Sequence, residues 1–359
     1  MFARPTPVAI AFLLFTSSLF SSCGSLSYLL QASEGQWELF NRAKPIAEVL
    51  KDERTPPRIK NLLSQIPAVK KFGESQGLKP TPNYKDYVKL DRSAAVYVVS
   101  ASEVLRFKSK TWSFPIVGSF PYLGWFDLKN AQEYAESLRK EGWDADVRGA
   151  SAYSTLGWFR DAVLSTMIPD APTGPQAVGD PALGELVNVV IHESVHATLY
   201  INGQSYFNES LASFVADHLT RVYLDQKVGA NSPEKAAYVQ GVTASEVALR
   251  KLHLGYEELE KLYQSSKPDT EKLELKAKIL AKLKADLGYR RDLNNATLIQ
   301  FKTYNTGQTE FDALIKACQG DWHYFMSSLA TLKDSSFANP QQEDFGPVVM
   351  KLAENGCPR

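Results

Sequence analysis

Apolar residues recur along most of this chain at spacings of three and four, and alternate only in a central stretch. Leu29, Leu30, Trp37, Leu39, Phe40, Ile46, Val49 and Leu50 mark a first helix over residues 26–54, punctuated by Thr55-Pro56-Pro57. A second helix covers 58–76 and stops at Gly77, with Pro80 and Pro82 beyond it. The pattern then changes. Residues 94–100 and 103–107 are rich in Val, Tyr and Phe and read as strands, and 112–125 reads as turns and short strands. Asp127 caps a helix with Leu128, Ala131, Ala135 and Leu138 on one face, ending at Gly142. Strands are expected at 143–149, 151–159 and 162–168, the last two around an Arg160-Asp161 turn, followed by a loop to Gly179.

Asp180, with Pro181 at the first helical position, opens a helix striped by Leu183, Leu186, Val187, Val190, Val195 and Leu199. It is apolar nearly all round, so it should be buried, and Asn202-Gly203 ends it. Asn208 is placed to cap another helix running to about 226. From Ser232 the chain turns charged. Two long helices, 233–265 and 269–287, form an antiparallel hairpin whose Lys/Glu faces read as solvated surface. Three shorter helices follow at 297–304, 309–318 and 321–332. The fold class is α+β and helix-rich. Its parts are N-terminal helices over 26–90, an α+β core over 91–230, the hairpin over 231–290 and C-terminal helices over 291–359.

Composition narrows the functions. The 359 residues are 44% hydrophobic, enough for a sizeable core, and 40 basic residues balance 40 acidic ones. No overall field recruits nucleic acid, so it is not an expected partner. Residues 1–22 read as a signal peptide: Arg4 supplies a positive start and Val8 to Phe20 is too short for an ordinary spanning helix. Leu19-Phe20-Ser21-Ser22-Cys23 resembles a bacterial lipobox, which makes Cys23 the lipidated residue and the membrane a partner through that anchor. Gly24 after the cysteine resembles the outer-membrane sorting pattern, facing the periplasm in a Gram-negative envelope. An ordinary secretory signal is the alternative. Cys318 and Cys357 then remain as an even pair in an exported chain, suggesting a disulfide.

Candidate chemistry centres on His192-Glu193-Ser194-Val195-His196. Two histidines four apart on a helix project from one face, where they can bind one Zn²⁺, and Glu193 beside them can take a proton from water. Hydrogen-bonded core histidines are the alternative. Glu209 is the candidate third ligand, because a catalytic zinc commonly takes two His and one Glu. Ala212, Ser213 and Ala216 share its face and let the two helices approach closely. The alternative for Glu209 is a surface acid favoured by a helix N-terminus. Leu199 and Asn202 stand where a metzincin needs Gly and His, which excludes that pattern. Asp217 reads as a partner orienting a histidine or as plain surface; His253 and His323 read as bystanders. Tyr153, Tyr206 and Tyr304 are candidates for stabilising an oxyanion or contacting substrate. Residues 154–159 read equally as an edge strand that pairs with a peptide substrate or as an ordinary hairpin arm.

H-E-x-x-H followed by Asn208-Glu209 resembles the gluzincin branch of zinc metallopeptidases, although Ser213 stands where that branch often has Asp. Over nearly the whole mature chain the sequence resembles a bacterial family of lipoproteins named "putative aminopeptidase". The likeness is carried by Tyr28-Leu29-Leu30-Gln31-Ala32, Phe114-Pro115-Ile116-Val117-Gly118, Tyr153-Ser154-Thr155-Leu156-Gly157-Trp158-Phe159, the His192 motif, Phe207-Asn208-Glu209-Ser210 and Gly320-Asp321-Trp322. Ala162 replaces an expected proline. The resemblance implies a gluzincin-like core, a small mixed sheet packed on the His192 helix, and a zinc aminopeptidase with one Zn²⁺ per chain. A zinc amidase or endopeptidase acting on cell-wall peptides, and a metal-binding lipoprotein without activity that binds a partner, are the other readings.

Overall fold

The computed structural model describes residues 23–114, 118–155, 160–173, 178–302 and 307–357. The chain enters through α1 (Cys23–Arg42). Lys44–Pro45 then forms a short strand, β1, before the single turn α2 (Ile46–Val49). The helix expected without interruption over 26–54 is therefore broken, because Pro45 has no N–H to continue it and Ile46 N instead bonds Lys85 O at 2.9 Å. The long helix α3 (Pro57–Ser75) follows, and Gly77 past its end takes a φ of +95°.

Three small sheets make up the β part. In the first, β1 pairs antiparallel with β2 (Asp86–Val88). In the second, β3 (Val96–Ser102) is the central strand. The hairpin β4 (Trp112–Phe114) and β5 (Gly118–Phe120) stands apart as the third. Strand β6 (Tyr122–Trp125) flanks β3 on one side. Helix α4 (Leu128–Lys140), capped by the Asp127 carboxylate on Asn130 N, leads to β7 (Asp144–Ala150) on the other side of β3. Both pairings are antiparallel. Ala131, Ala135 and Leu138 of α4 cover this sheet and form a core with Tyr97, Val99 and Trp125.

One expected strand does not form, and the described part of another joins no sheet. Residues 103–107 make a tight loop instead: Glu103 N donates to Lys108 O at 3.0 Å, and Arg106 Nε donates to Glu103 Oε2 at 3.0 Å. Residues 151–155 join no sheet, because the Thr155 amide is taken by the Asp161 carboxylate at 3.2 Å; residues 156–159 lie outside those described. Of the strand expected over 162–168 only β8 (Val163–Leu164) appears, parallel to β2, before a single 3-10 turn at Ser165–Met167. The first sheet is thus mixed.

The helical layer holds the main core. Helix α5 (Ala182–Thr198) begins beside Asp180, whose carboxylate accepts from Ala182 N at 3.0 Å and pairs with Arg58 of α3 at 2.5 Å. Its Leu186, Val187, Val190 and Val195 are fully buried with Val88, Val163 and Leu164 of the mixed sheet. Helix α6 (Ser205–Lys227) packs along it, and Ala212 and Ala216 have no exposed surface, as close helix approach requires. The charged hairpin is α7 (Pro233–Gln264) and α8 (Asp269–Leu287), which encloses its own core of Leu252, Tyr256, Leu259, Leu280 and Leu283 around Phe107. Gly184 of α5 meets this hairpin where an added Cβ would lie 2.5 Å from the Tyr238 ring.

Helices α9 (Asn295–Lys302), α10 (Gln308–Ala317) and α11 (Trp322–Leu329) follow, then α12 (Gly346–Asn355), which the apolar pattern did not reveal. Cys318, at the end of α10, is joined to Cys357, beyond α12, with Cα atoms 5.1 Å apart. The described residues thus form a helix-rich α+β fold with small sheets. No described helix is long and apolar enough to cross a membrane.

Candidate metal centre

The two central helices bring three side chains to one point. His192 and His196 lie one turn apart in the second half of α5, with their Nε2 atoms 3.2 Å from each other. Glu209, in the second turn of α6, reaches across: Oε2 is 3.4 Å from His192 Nε2 and Oε1 is 3.6 Å from His196 Nε2. One donor atom from each of the three residues falls within a sphere where all lie within 4.8 Å of one another. A tetrahedral zinc with bonds of about 2.1 Å needs donors about 3.4 Å apart; the Nε2–Nε2 spacing and the distance from each imidazole to its nearer Glu209 oxygen lie close to that value, the two imidazoles facing different oxygens of the carboxylate. The donor set of two imidazoles and a carboxylate also fits the metal by type. Among the described residues this is the one group of three or more such side chains close enough to hold an ion.

The connector between α5 and α6 sets this geometry. Asn208 is buried at 1% exposure, and its side chain accepts from Ile201 N at 2.9 Å and donates to Ile201 O at 2.8 Å. It is not the helix cap read from the sequence: α6 starts three residues earlier, and Asn208 ties the connector to the turn that presents Glu209. The helix start is held instead by the C-terminal segment. Gln204 Nε2 donates to Asn339 O at 2.8 Å, and Ser205 N donates to Gln341 Oε1 at 3.0 Å. At the other end of the connector, Thr198 Oγ1 accepts from Lys79 N at 2.9 Å.

The carboxylate and imidazole groups of the cluster perturb one another. Burial disfavours the charged form of His192, but the Glu209 hydrogen bond and the Glu193 charge outweigh it and raise its pKa above the usual 6.5. Burial would raise Glu209, yet the two imidazoles, His196 foremost, hold it well below the usual 4.5. Glu209 keeps 49% of its side-chain surface open to solvent, although protein atoms crowd its carboxylate, whereas His196 keeps 4%. Among the described residues His196 Nδ1 is buried with no hydrogen-bond partner.

The remaining sequence candidates scatter. Asp217 accepts from Asn188 Nδ2 at 2.9 Å, not from an imidazole, and Asn188 also donates to Tyr238 at 3.0 Å. Its charge still reaches His192, while burial raises its own pKa. Tyr153 packs edge-on to Phe126 at 5.1 Å, and burial pushes its phenol up to about 12, with the nearby Tyr28 and Asp161 adding to the rise. That places it beside Asp161 and not against the His192–Glu209 cluster. Tyr206 is half-buried three residues before Glu209 on α6, and Tyr304 lies outside the described residues. His218 bonds Phe214 O, His253 faces Glu257 and His323 bonds Ser75 O, so none joins the cluster.

Three other tyrosines lie within range of the charges of the site. Tyr122 of β6 is raised well above 10 by burial and then by Glu209 and Tyr200, with Glu193 contributing as well. Tyr200, in the α5–α6 connector, lies with its ring 6.0 Å from that of His196 and is raised by burial and by Glu209. Tyr84 is buried at 4% exposure, and after burial the charge it feels most is Glu193. Asp161 stands behind it. Its backbone O accepts from Tyr84 N at 2.7 Å, and its carboxylate accepts from Thr155 Oγ1 at 2.8 Å. A cavity of about 230 Å³ opens on the far side of Asp161, lined also by Gln36, Leu39, Tyr153 and Arg160. Tyr200 follows the motif by four residues, whereas Tyr84 and Tyr122 lie 70 or more residues before His192, so no local signal could find them.

Comparison with known proteins covers almost the whole of this architecture. A family model described as "Putative aminopeptidase" matches residues 27–343, from the first turns of α1 to the segment that holds the start of α6. No curated protein and no solved structure matches the chain. The match spans far more than half of the sequence and includes His192, Glu193, His196 and Glu209, and on that basis the chain belongs to the "Putative aminopeptidase" family.

Proposed function

We propose that this chain is a zinc-dependent peptidase of gluzincin type, acting as an aminopeptidase, and that Cys23 anchors it by lipid in the bacterial cell envelope. The observation that carries the reading is the meeting of His192, His196 and Glu209 at spacings of 3.2 to 3.6 Å. The family description supports peptide hydrolysis and supplies the preference for a free amino end. His192, His196 and Glu209 would hold the ion. When bound there, Zn²⁺ supplies Lewis acidity, which acidifies water and polarises a carbonyl.

The chain's own residues do the rest. Glu193, next to His192 on the same helix, accepts a proton from the attacking water and delivers it to the leaving amine. Tyr122 keeps its phenolic proton throughout the working range, because burial and the nearby Glu209 raise its pKa. It is therefore a standing donor for a developing oxyanion. Tyr84 is buried within range of the Glu193 charge, and its backbone is held by Asp161.

The test is Glu193→Gln, measured for bound zinc and for hydrolysis of free-amine peptides beside N-blocked ones. Full zinc content with hydrolysis reduced by a factor of about 10² or more is expected. Unchanged hydrolysis would refute the assignment, and faster cleavage of N-blocked peptides would refute the aminopeptidase preference.

A further inference from the structure

Helix α1 carries apolar residues on two opposite faces. At about 100° per residue, Tyr28, Gln31, Gly35 and Leu39 fall within a sector of about 80°. This sector is the packed face. The Tyr28 ring lies 5.6 Å from that of Phe114 and 5.7 Å from that of Trp125. Gln31 donates to Gly124 O and accepts from Phe126 N, each at 3.1 Å. An added Cβ on Gly35 would sit 2.0 Å from the Phe126 ring, so the helix lies directly on the fold there.

On the opposite side Leu29, Leu30 and Trp37 share a second sector of about 100°. They are 49%, 57% and 67% exposed. Ser33 is the polar residue between them, and its hydroxyl is turned back to Leu29 O at 2.8 Å. No charged residue falls in the sector; Glu34 and Asn41 mark its border. Single exposed leucines are ordinary, but three large side chains aligned on one face form a patch.

The chain itself indicates what covers this patch. Cys23 is the first residue of the helix and the residue at which the lipobox would attach acyl chains. Those chains would pin the start of α1 at the bilayer. The 20-residue helix is about 30 Å long, so it can lie along the surface from that point. Trp37 stands towards the far end, where an indole suits the boundary between head groups and acyl chains. The sector lacks Lys and Arg, so its attraction is to the apolar part of the lipid and needs no anionic head group.

We propose that α1 is a second membrane contact, lying in the interface with Leu29, Leu30 and Trp37 among the acyl chains. This rests on the lipid-anchor reading of Cys23. It gives the anchor the second signal that stable attachment commonly needs, and it fixes the orientation of the chain on the bilayer.

The experiment uses the full lipidated protein in phosphatidylcholine vesicles, carrying Leu30→Cys, Trp37→Cys or Lys129→Cys labelled with an environment-sensitive fluorophore. Lys129, on α4, is 82% exposed and serves as the solvent reference. Probes at 30 and 37 should be quenched about threefold more strongly by nitroxide lipids than the probe at 129, and shielded from aqueous iodide. The mass of the N-terminal peptide is read in parallel. Acylated Cys23 with probes as exposed as at 129 overturns the helix contact alone. An unacylated Cys23 overturns the anchor and with it this proposal. Probes shielded without vesicles, together with a doubled particle mass, assign the face to a second copy and overturn it too.

Discussion

Replacing Asn208 by alanine isolates the feature that fixes Glu209 relative to the histidines. Asn208 is buried and bonds both backbone groups of Ile201, itself 4% exposed; the Ile201 carbonyl also accepts from Gln204 N at 3.2 Å, so only the N–H depends on Asn208 alone. Alanine leaves the buried Ile201 N–H without a partner, which costs about 1–3 kcal/mol, a sizeable share of the ~5–15 kcal/mol that holds a typical protein folded. The assay is urea unfolding of wild type and Asn208→Ala, with a chelator present so that metal binding does not add to either stability. The midpoint should fall with the slope unchanged. Zinc affinity, measured separately, should drop about 10- to 100-fold, the effect of losing a group that orients a ligand. A stability change below about 0.5 kcal/mol would refute the argument, because an orphaned buried N–H cannot cost so little.

Two further perturbations probe the electrostatics and the C-terminal closure. Zinc must displace the proton from His192, whose pKa is raised above 6.5, so affinity should begin to fall above pH 6.5 and keep falling on acidification; competition with a chelator reads this, and flat affinity from about pH 7.5 to 6 would contradict it. In the metal-free protein the signs differ: the raised His192 stabilises fully below 6.5 and loses this as pH rises through its folded value, whereas the lowered Glu209 stabilises above 4.5 and loses this as pH falls, so the pair contributes most between those two values. Reducing the Cys318–Cys357 link, which closes a separation of 39 residues, should cost about 4 kcal/mol on the loop-entropy model, and an unchanged denaturation midpoint in reductant would count against it.

The sequence carried the helices of the site well and its sheets poorly. The apolar stripe from Leu183 to Leu199 predicts a buried helix because periodicity reports burial directly, and α5 is the centre of the core. The small residues at 212 and 216 likewise signal close helix packing before any partner is known. The hairpin over 233–265 and 269–287 is legible from its length and its Pro268 turn, and α7 and α8 match it within a residue. Strand character is different, since a ladder needs a partner. Residues 103–107 and 151–155 have suitable side chains, but the Glu103–Lys108 turn and the Asp161 carboxylate take the backbone donors first. Asn208 looks like a cap from its type, yet its bonds run backward to Ile201 because Gln204 and Gln341 hold the true start of α6. Tyr84 and Tyr122 owe their places to strand and loop positions far from residue 193, which spacing cannot report.

The central claim is that His192, His196 and Glu209 together hold one zinc ion. Metal analysis and zinc titration of the wild type and of Glu209→Ala test it most directly. One zinc per wild-type chain is expected, with affinity weakened more than about 100-fold in the variant, beyond what losing an outer hydrogen-bond partner usually costs. Stoichiometric zinc at unchanged affinity in Glu209→Ala would contradict the account.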